Sequence, residues 1–354
     1  MAESRRQRIL AAIVEQYIAT GEPVGSKALL DKLDVSVSSA TIRNDMAALT
    51  KLGYIYQPHT SAGRIPTQSG YRYYVDHLMQ VRELGETERR RIEAGVDAHS
   101  GDPDELLKTA EEALVSFTNF ASISTTPSDE NATIRNIEMV QVSSRIAMVV
   151  LLTSTGVLKS KACRTDVEIT PDLVETFHNI VTEYFLGKPL TDVSVAFIQT
   201  LVASLGAKAL PMSAPLVAIA DLVSEASQTQ VRLGGQSKLL DYKDYEGNSS
   251  ELMNFLHREE PLNLLLEDGS QDRGAGIEVR IGSENRFKEL ANSTTIISRY
   301  RIGGGATGAI GIIGPTRMDY SKIISGLKYL SDIVSAVLSD VYEEDNSTNE
   351  ESDR

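Results

Sequence analysis

Between residues 54 and 66, two short extended runs flank a tip of small polar residues. Tyr54-Ile55-Tyr56-Gln57-Pro58 and Arg64-Ile65-Pro66 enclose His59-Thr60-Ser61-Ala62-Gly63. This hairpin follows directly on helical segments, and that order constrains the head of the chain more than composition does. Ile9, Leu10, Ile13, Val14, Tyr17 and Ile18 recur at helical spacing, and Gly21 ends that helix. Ser26 is placed to cap a short second helix over 27–33, and residues 34–37 read as a tight turn. Ser38 or Ser39 caps a third helix that runs to about Leu52, where Gly53 supplies the stop. Helix, turn, helix and then a hairpin is the order of a winged helix-turn-helix. From Gly70 the chain turns helical again through Tyr71, Tyr74, Val75, Leu78 and Val81.

The third helix can be tested by geometry at 100° per residue. Ile42, Met46 and Leu49 fall within about 60° of one another and form a core stripe. Opposite lie Ala40, Asn44, Ala47 and Lys51, with Thr41 and Arg43 on the flanks. A small, polar outward face is what a major groove about 12 Å wide requires of an inserted helix. Asn can pair bidentately with adenine, Arg with guanine, and Ala or Thr can meet a thymine methyl. At the hairpin tip, small hydroxyls and backbone amides can approach phosphates while Arg64 enters the minor groove. The expected DNA-binding set is Ser26, Lys27, Ser39, Ala40, Thr41, Arg43, Asn44, Lys51, His59, Thr60, Ser61 and Arg64.

The formal net charge of −14 argues against a nucleic-acid partner if taken as an average. Residues 1–80, however, carry nine Lys and Arg against seven Asp and Glu, a head of +2 on a body of −16. Hydrophobic residues at 41% and charged residues at 24% suit a folded, water-soluble chain of 354 residues with two or three domains. No apolar run much exceeds 147–152, far below the roughly 20 residues of a membrane span. Arg5, Arg6 and Arg8 lead straight into an amphipathic pattern rather than a signal peptide. Cys163, the one cysteine, can form neither an intramolecular disulfide nor a cysteine-based metal site. Together these features predict a cytoplasmic protein with no structural zinc.

Past the head, the charged stretch 82–103 reads as a helical linker with breaks, and Leu106, Leu107, Ala110, Leu114 and Phe117 mark a helix from Glu105. Residues 145–152 and 157–163 form a hairpin about Thr153-Ser154-Thr155-Gly156. Residues 170–226 are nearly all helical, broken at 187–189 and 211–215. Strands return at 231–233, 276–281, 294–300 and 308–313, before a closing helix over 320–341. The body is α+β, with a helical segment inserted near its middle. Gly303-Gly304-Gly305-Ala306-Thr307-Gly308 fits the dinucleotide fingerprint, but an extended run rather than a helix follows, so a strand connection is the better reading. The five histidines are scattered without metal-ligand spacing, and Cys163 reads as buried filler. Asp241, Asp244 and Glu246 look like a solvated turn. The closing helix either covers a sheet in its own domain or zips to a symmetry mate.

Three stretches of the head closely resemble HrcA, the family of bacterial heat-inducible transcription repressors. They are Ser-Ser-Ala-Thr-Ile-Arg-Asn-Asp-Met-Ala (38–47), Gly-Tyr-Ile-Tyr-Gln-Pro-His-Thr-Ser-Ala-Gly-Arg-Ile-Pro-Thr (53–67) and Gly-Tyr-Arg-Tyr-Tyr-Val-Asp (70–76). Later segments agree: Ile281-Gly282-Ser283-Glu284-Asn285 and Gly311-Ile312-Ile313-Gly314-Pro315-Thr316-Arg317-Met318-Asp319-Tyr320. The resemblance implies a repressor of chaperone operons that binds an inverted-repeat operator (CIRCE) as a homodimer and is released on heat stress. It implies GroEL as modulator and no cofactor. It further implies a winged helix-turn-helix, then a GAF-like α+β domain with an inserted, mainly helical dimerisation domain. The corresponding limits are 1–80 for the head, 81–103 for a linker helix, 104–167 and 214–342 for the GAF-like domain, 168–213 for the insertion and 343–354 for a disordered acidic tail. The competing class is a GAF-type small-ligand sensor or enzyme with an accessory helix-turn-helix.

Overall fold

A computed structural model describes residues 4–30, 32–33, 38–96, 103–127, 132–155, 157–206, 210–267, 276–302 and 307–350. The chain is mixed α and β and divides into two compact units. The first comprises residues 1–124, 231–300 and 309–334, and the second 125–230 with 301–308 and 335–354.

The first unit opens with helix α1 (Arg5–Thr20), capped by Ser4, whose hydroxyl accepts from the Gln7 amide, and closed by Gly21 at φ +71°. Helix α2 (Ser39–Lys51) is capped by Ser38, and strands β1 (Ile55–Tyr56) and β2 (Ile65–Pro66) pair antiparallel behind it. The expected helix over 27–33 is instead a run of turns, with amide bonds from Ala28 to Gly25 and from Leu30 to Lys27. Leu29, buried, anchors these turns. The turn expected at 34–37 lies outside the described residues. Helix α3 (Gln68–Tyr73), capped by Thr67, runs into a π-helical turn at Tyr74–Leu78. Helices α4 (Glu86–Glu93) and α5 (Pro103–Thr118) follow, the second starting two residues ahead of Glu105.

Strand β3 (Ala121–Thr125), which hydrophobic pattern did not announce, begins a five-stranded sheet. After β3 the chain leaves this sheet and returns to it only at residue 231.

The second unit holds an antiparallel meander of β4 (Ile134–Ser143), β5 (Ile146–Thr153) and β6 (Leu158–Arg164). Helices α6 (Pro171–Tyr184), α7 (Val195–Leu205) and α8 (Ser213–Ser227) complete it. Pro215, expected to break the chain, sits in the first turn of α8, where a missing amide donor costs nothing. Ile137, Met139, Val149 and Leu151 form one buried core with Phe177, Ile180, Leu216 and Ile219. The sheet therefore belongs with these helices in the second unit, whose longest segment is 125–230, whereas 168–213 alone was expected to stand apart.

Back in the first unit, β7 (Val231–Gly234) leads through 3₁₀ turns to α9 (Ser249–Leu256) and α10 (Glu259–Glu267). Of the turn expected to be solvated, Asp241 and Glu246 are exposed, but Tyr245 is buried and shares a 3.2 Å hydrogen bond with Ser293. Strands β8 (Ile277–Ile281), β9 (Ser293–Arg301) and β10 (Thr307–Pro315) finish the sheet in the order β7-β3-β10-β9-β8. A strand, not a helix, thus follows the glycine-rich segment, whose residues 303–306 lie outside those described. Alternation assigns the two faces. Ala121, Ile123, Ile297 and Ile313 pack with Phe255 and Leu265. On the other face, Ser124 donates to Glu111 of α5. There too Thr294 meets Tyr320 at the start of the last helix, α11 (Tyr320–Glu350). That helix continues to Glu350, past Glu343, where an unstructured tail was expected.

Candidate nucleic-acid interface

On α2 the stripe is as periodicity demands: Ile42, Met46 and Leu49 are buried, while Ala40, Arg43, Asn44, Ala47 and Lys51 are exposed and Thr41 is half-buried. One residue on the inner side is charged. Asp45 is only 3% exposed, and it accepts from Arg5 Nε at 2.6 Å and Arg6 Nε at 3.1 Å. The hydrogen bond from Arg5 holds its carboxyl below the usual carboxylate range, with Arg6 adding to the effect against the cost of burial.

Several expected contact residues are engaged within the head. Ser26, buried, receives Arg43 Nε at 3.2 Å and lies 3.1 Å from the Ser39 hydroxyl. Ser38 Oγ, besides capping α2, lies 3.1 Å from Thr41 Oγ1. These bonds fix the direction in which Arg43 leaves the helix. Lys27 is exposed beside them.

The hairpin tip is equally ordered. Gln57 Nε2 donates to the carbonyls of Thr60 and Ala62, both at 2.9 Å, and the Ala62 amide closes a turn onto His59. His59, Thr60 and Ser61 are exposed. Arg64 is not at the tip. Its amide and carbonyl pair with Val24 at 2.9 Å each, and its Nε donates to Thr50 Oγ1 at 3.3 Å. That places its guanidinium between the loop and the end of α2 rather than out along the hairpin. Gln57, Thr50 and Asp45 were missed from sequence. Asp45 alone left a signal, a carboxylate on the buried side of an amphipathic helix.

What remains outward is a band of amides, hydroxyls and cations, with Leu52 and Tyr56 exposed beside it, and among the described residues no cluster of three His, Cys, Asp or Glu could hold a metal. Residues 104–324 match the family described as HrcA protein C terminal domain. Proteins named heat-inducible transcription repressor HrcA are similar along nearly the whole chain. That of Acetivibrio thermocellus is 32% identical over 330 residues, 93% of this chain and 94% of that protein. That of Thermobifida fusca is 34% identical over 338 residues, 95% and 97% respectively. The chain belongs to the HrcA family, and is a transcriptional repressor of heat-shock genes and not an enzyme. A crystal structure described only as a hypothetical protein is 25% identical, with a TM-score of 0.68 over 96% of this chain and 100% of that one. None of the described helices is long and apolar enough to cross a membrane.

Proposed function

We propose that the head is a winged helix-turn-helix which binds double-stranded operator DNA, with α2 in the major groove and the 57–64 loop as its wing. The observation that carries this reading is the outward face of α2: Ala40, Arg43, Asn44, Ala47 and Lys51 exposed directly opposite a buried stripe. Arg43, aimed by Ser26, and Asn44 read base edges. Lys27, Lys51, Arg64 and the hydroxyls and amides of Ser39, Thr41, His59, Thr60 and Ser61 meet the backbone.

A single winged helix buries only about 600–1,000 Å², little for a tight operator complex at cellular salt. Two heads related by a two-fold axis, reading an inverted repeat of the CIRCE type, supply the missing contacts. The second unit offers the surface that pairs them. The face of its sheet turned away from α6 and α8 exposes Val140, Val142, Ile146, Met148 and Leu158, with Val142 at 57% and Leu158 at 64%. An apolar face of this extent suits a second copy of the chain. The part of the first unit beyond the head is the GAF-like body, GroEL is the modulator that keeps the cytoplasmic repressor competent, and heat stress releases it.

The test is operator binding by the full chain. Arg43→Ala and Asn44→Ala should each cost about 1–3 kcal/mol of specific affinity on an inverted repeat and leave non-specific binding nearly intact. Unchanged affinity in both variants would remove α2 from the groove.

A further inference from the structure

Three of the stretches that carry the family resemblance have no part in the reading surface, and two of them meet in the first unit. Arg72, in 70–76, leaves α3 with its guanidinium forked onto Glu284, in 281–285. Nε donates to Oε1 at 3.0 Å and Nη2 to Oε2, while Nη2 also reaches the Val279 carbonyl at 2.6 Å. Nη1 is held by Asp76 at 3.1 Å. One turn earlier on the same helix, Gln68 Oε1 accepts from the amide and hydroxyl of Ser283 at 3.0 and 2.8 Å.

The receiving turn is rigid. Asn285 Nδ2 donates to the carbonyls of Gly282, Leu290 and Ser293, and its Oδ1 accepts from Thr295. Glu284 Oε2 is also fixed by the Ile281 amide at 2.8 Å. A bidentate guanidinium–carboxylate pair sets an angle as well as a distance. At about 30% side-chain exposure on each partner it adds little stability, so its geometry is its use.

We infer that Arg72 is a positioning residue: it fixes the angle at which the reading head stands on the β8 edge of the sheet, and thereby which half-site spacing a dimer accepts. The inference rests on the proposed reading of an inverted repeat by paired heads. Half-sites on one face of the duplex lie a helical turn, or a multiple of it, apart, so spacing selectivity requires heads whose angle is held. Affinity for one half-site depends on the head alone and does not require it.

The experiment uses the full-length chain with a single half-site duplex and a series of inverted repeats whose spacer changes one base pair at a time. Arg72→Ala should bind the half-site within about twofold of wild type, lose about tenfold on the preferred repeat, and show a flattened spacer profile. Glu284→Gln, which keeps an oxygen for the Ile281 amide, should move the profile in the same direction. The double variant should be no worse than Arg72→Ala alone. A wild-type spacer profile in both single variants overturns this inference alone. A wild-type chain indifferent to operator sequence overturns it together with the DNA-binding reading.

Discussion

Asp45 occupies a place in α2 that a hydrophobic stripe would ordinarily fill, three residues after Ile42 and four before Leu49. Counted by charge, it is one acid among the seven in the head, and Arg5 and Arg6 are two free cations. In the structure both guanidiniums converge on the one carboxylate, so the trio carries +1 and two of the head's nine cations are turned toward Asp45 rather than free to face a phosphate backbone. The pairing joins α1 to α2 and sets the helix that carries Arg43. Because the carboxyl is held below its ordinary range, principally by Arg5, its contribution is complete above the unfolded value, about 3.9, and fades as pH falls through the lower folded one. Protection factors of the α1 and α2 amides, that is exchange rates taken relative to the unfolded chain at the same pH, should therefore fall on acidification in the wild type. Asp45→Asn should exchange a few-fold faster near neutrality, the scale of a half-exposed ion pair, and lose most of that pH dependence. Exchange rates equal to wild type at both pH values would show that the pair joins nothing. Periodicity placed the outward residues of α2, since each was decided by its own angle. It could not place Ser26 or Arg64, whose partners lie 17 and 14 residues away.

At the level of elements, glycines wedge the hairpin into place. A Cβ on Gly70 would stand 2.0 Å from the Tyr54 carbonyl oxygen, and one on Gly63 would stand 2.4 Å from the Val24 carbonyl group. Helix α3 and the 23–25 segment thus press directly on the backbone at either end of the hairpin. Gly70→Ala should cost on the order of 1–3 kcal/mol, because backbone and not a flexible side chain must give way. It should also weaken operator binding beyond that of Ala substitutions on the loop surface. Calorimetry paired with a binding titration checks both, and an unaltered melting profile would refute the close approach. The same scale explains which strands were legible. Strands β8, β9 and β10 stand out because β-branched runs are bounded by turn residues. Strand β4 was hidden by register shifts between Ile134 and Asn136 and between Gln141 and Ser143, which break the period-two alternation. Its exposed Val140 and Val142 also blur the distinction between inner and outer faces.

For the whole molecule, the sheet and helices of the second unit, separate in sequence pattern, share one core. Sequence spacing located the helical half, while only packing against α6 and α8 joined the strands to it. If the outer face of that sheet unites two copies, Met148→Lys should dissociate them, since Met148 stands between Val140 and Ala162 in the register. Sedimentation at micromolar concentration should then report a monomer that still binds a half-site but no longer prefers an inverted repeat. A variant that remains dimeric would move the interface elsewhere. Arg72→Ala should stay dimeric, which separates the two effects. Strands β3 and β7, between which this unit is spliced, are immediate neighbours in the host sheet. Where the guest begins and ends, Thr126 and Gln230 clasp each other through two 3.0 Å hydrogen bonds. To its host, the guest is therefore a hairpin turn grown to the size of a domain. Replacing 127–229 by a short turn should therefore leave the pairing of β3 with β7 in place, so that the scaffold carrying the reader does not depend on what the guest contains.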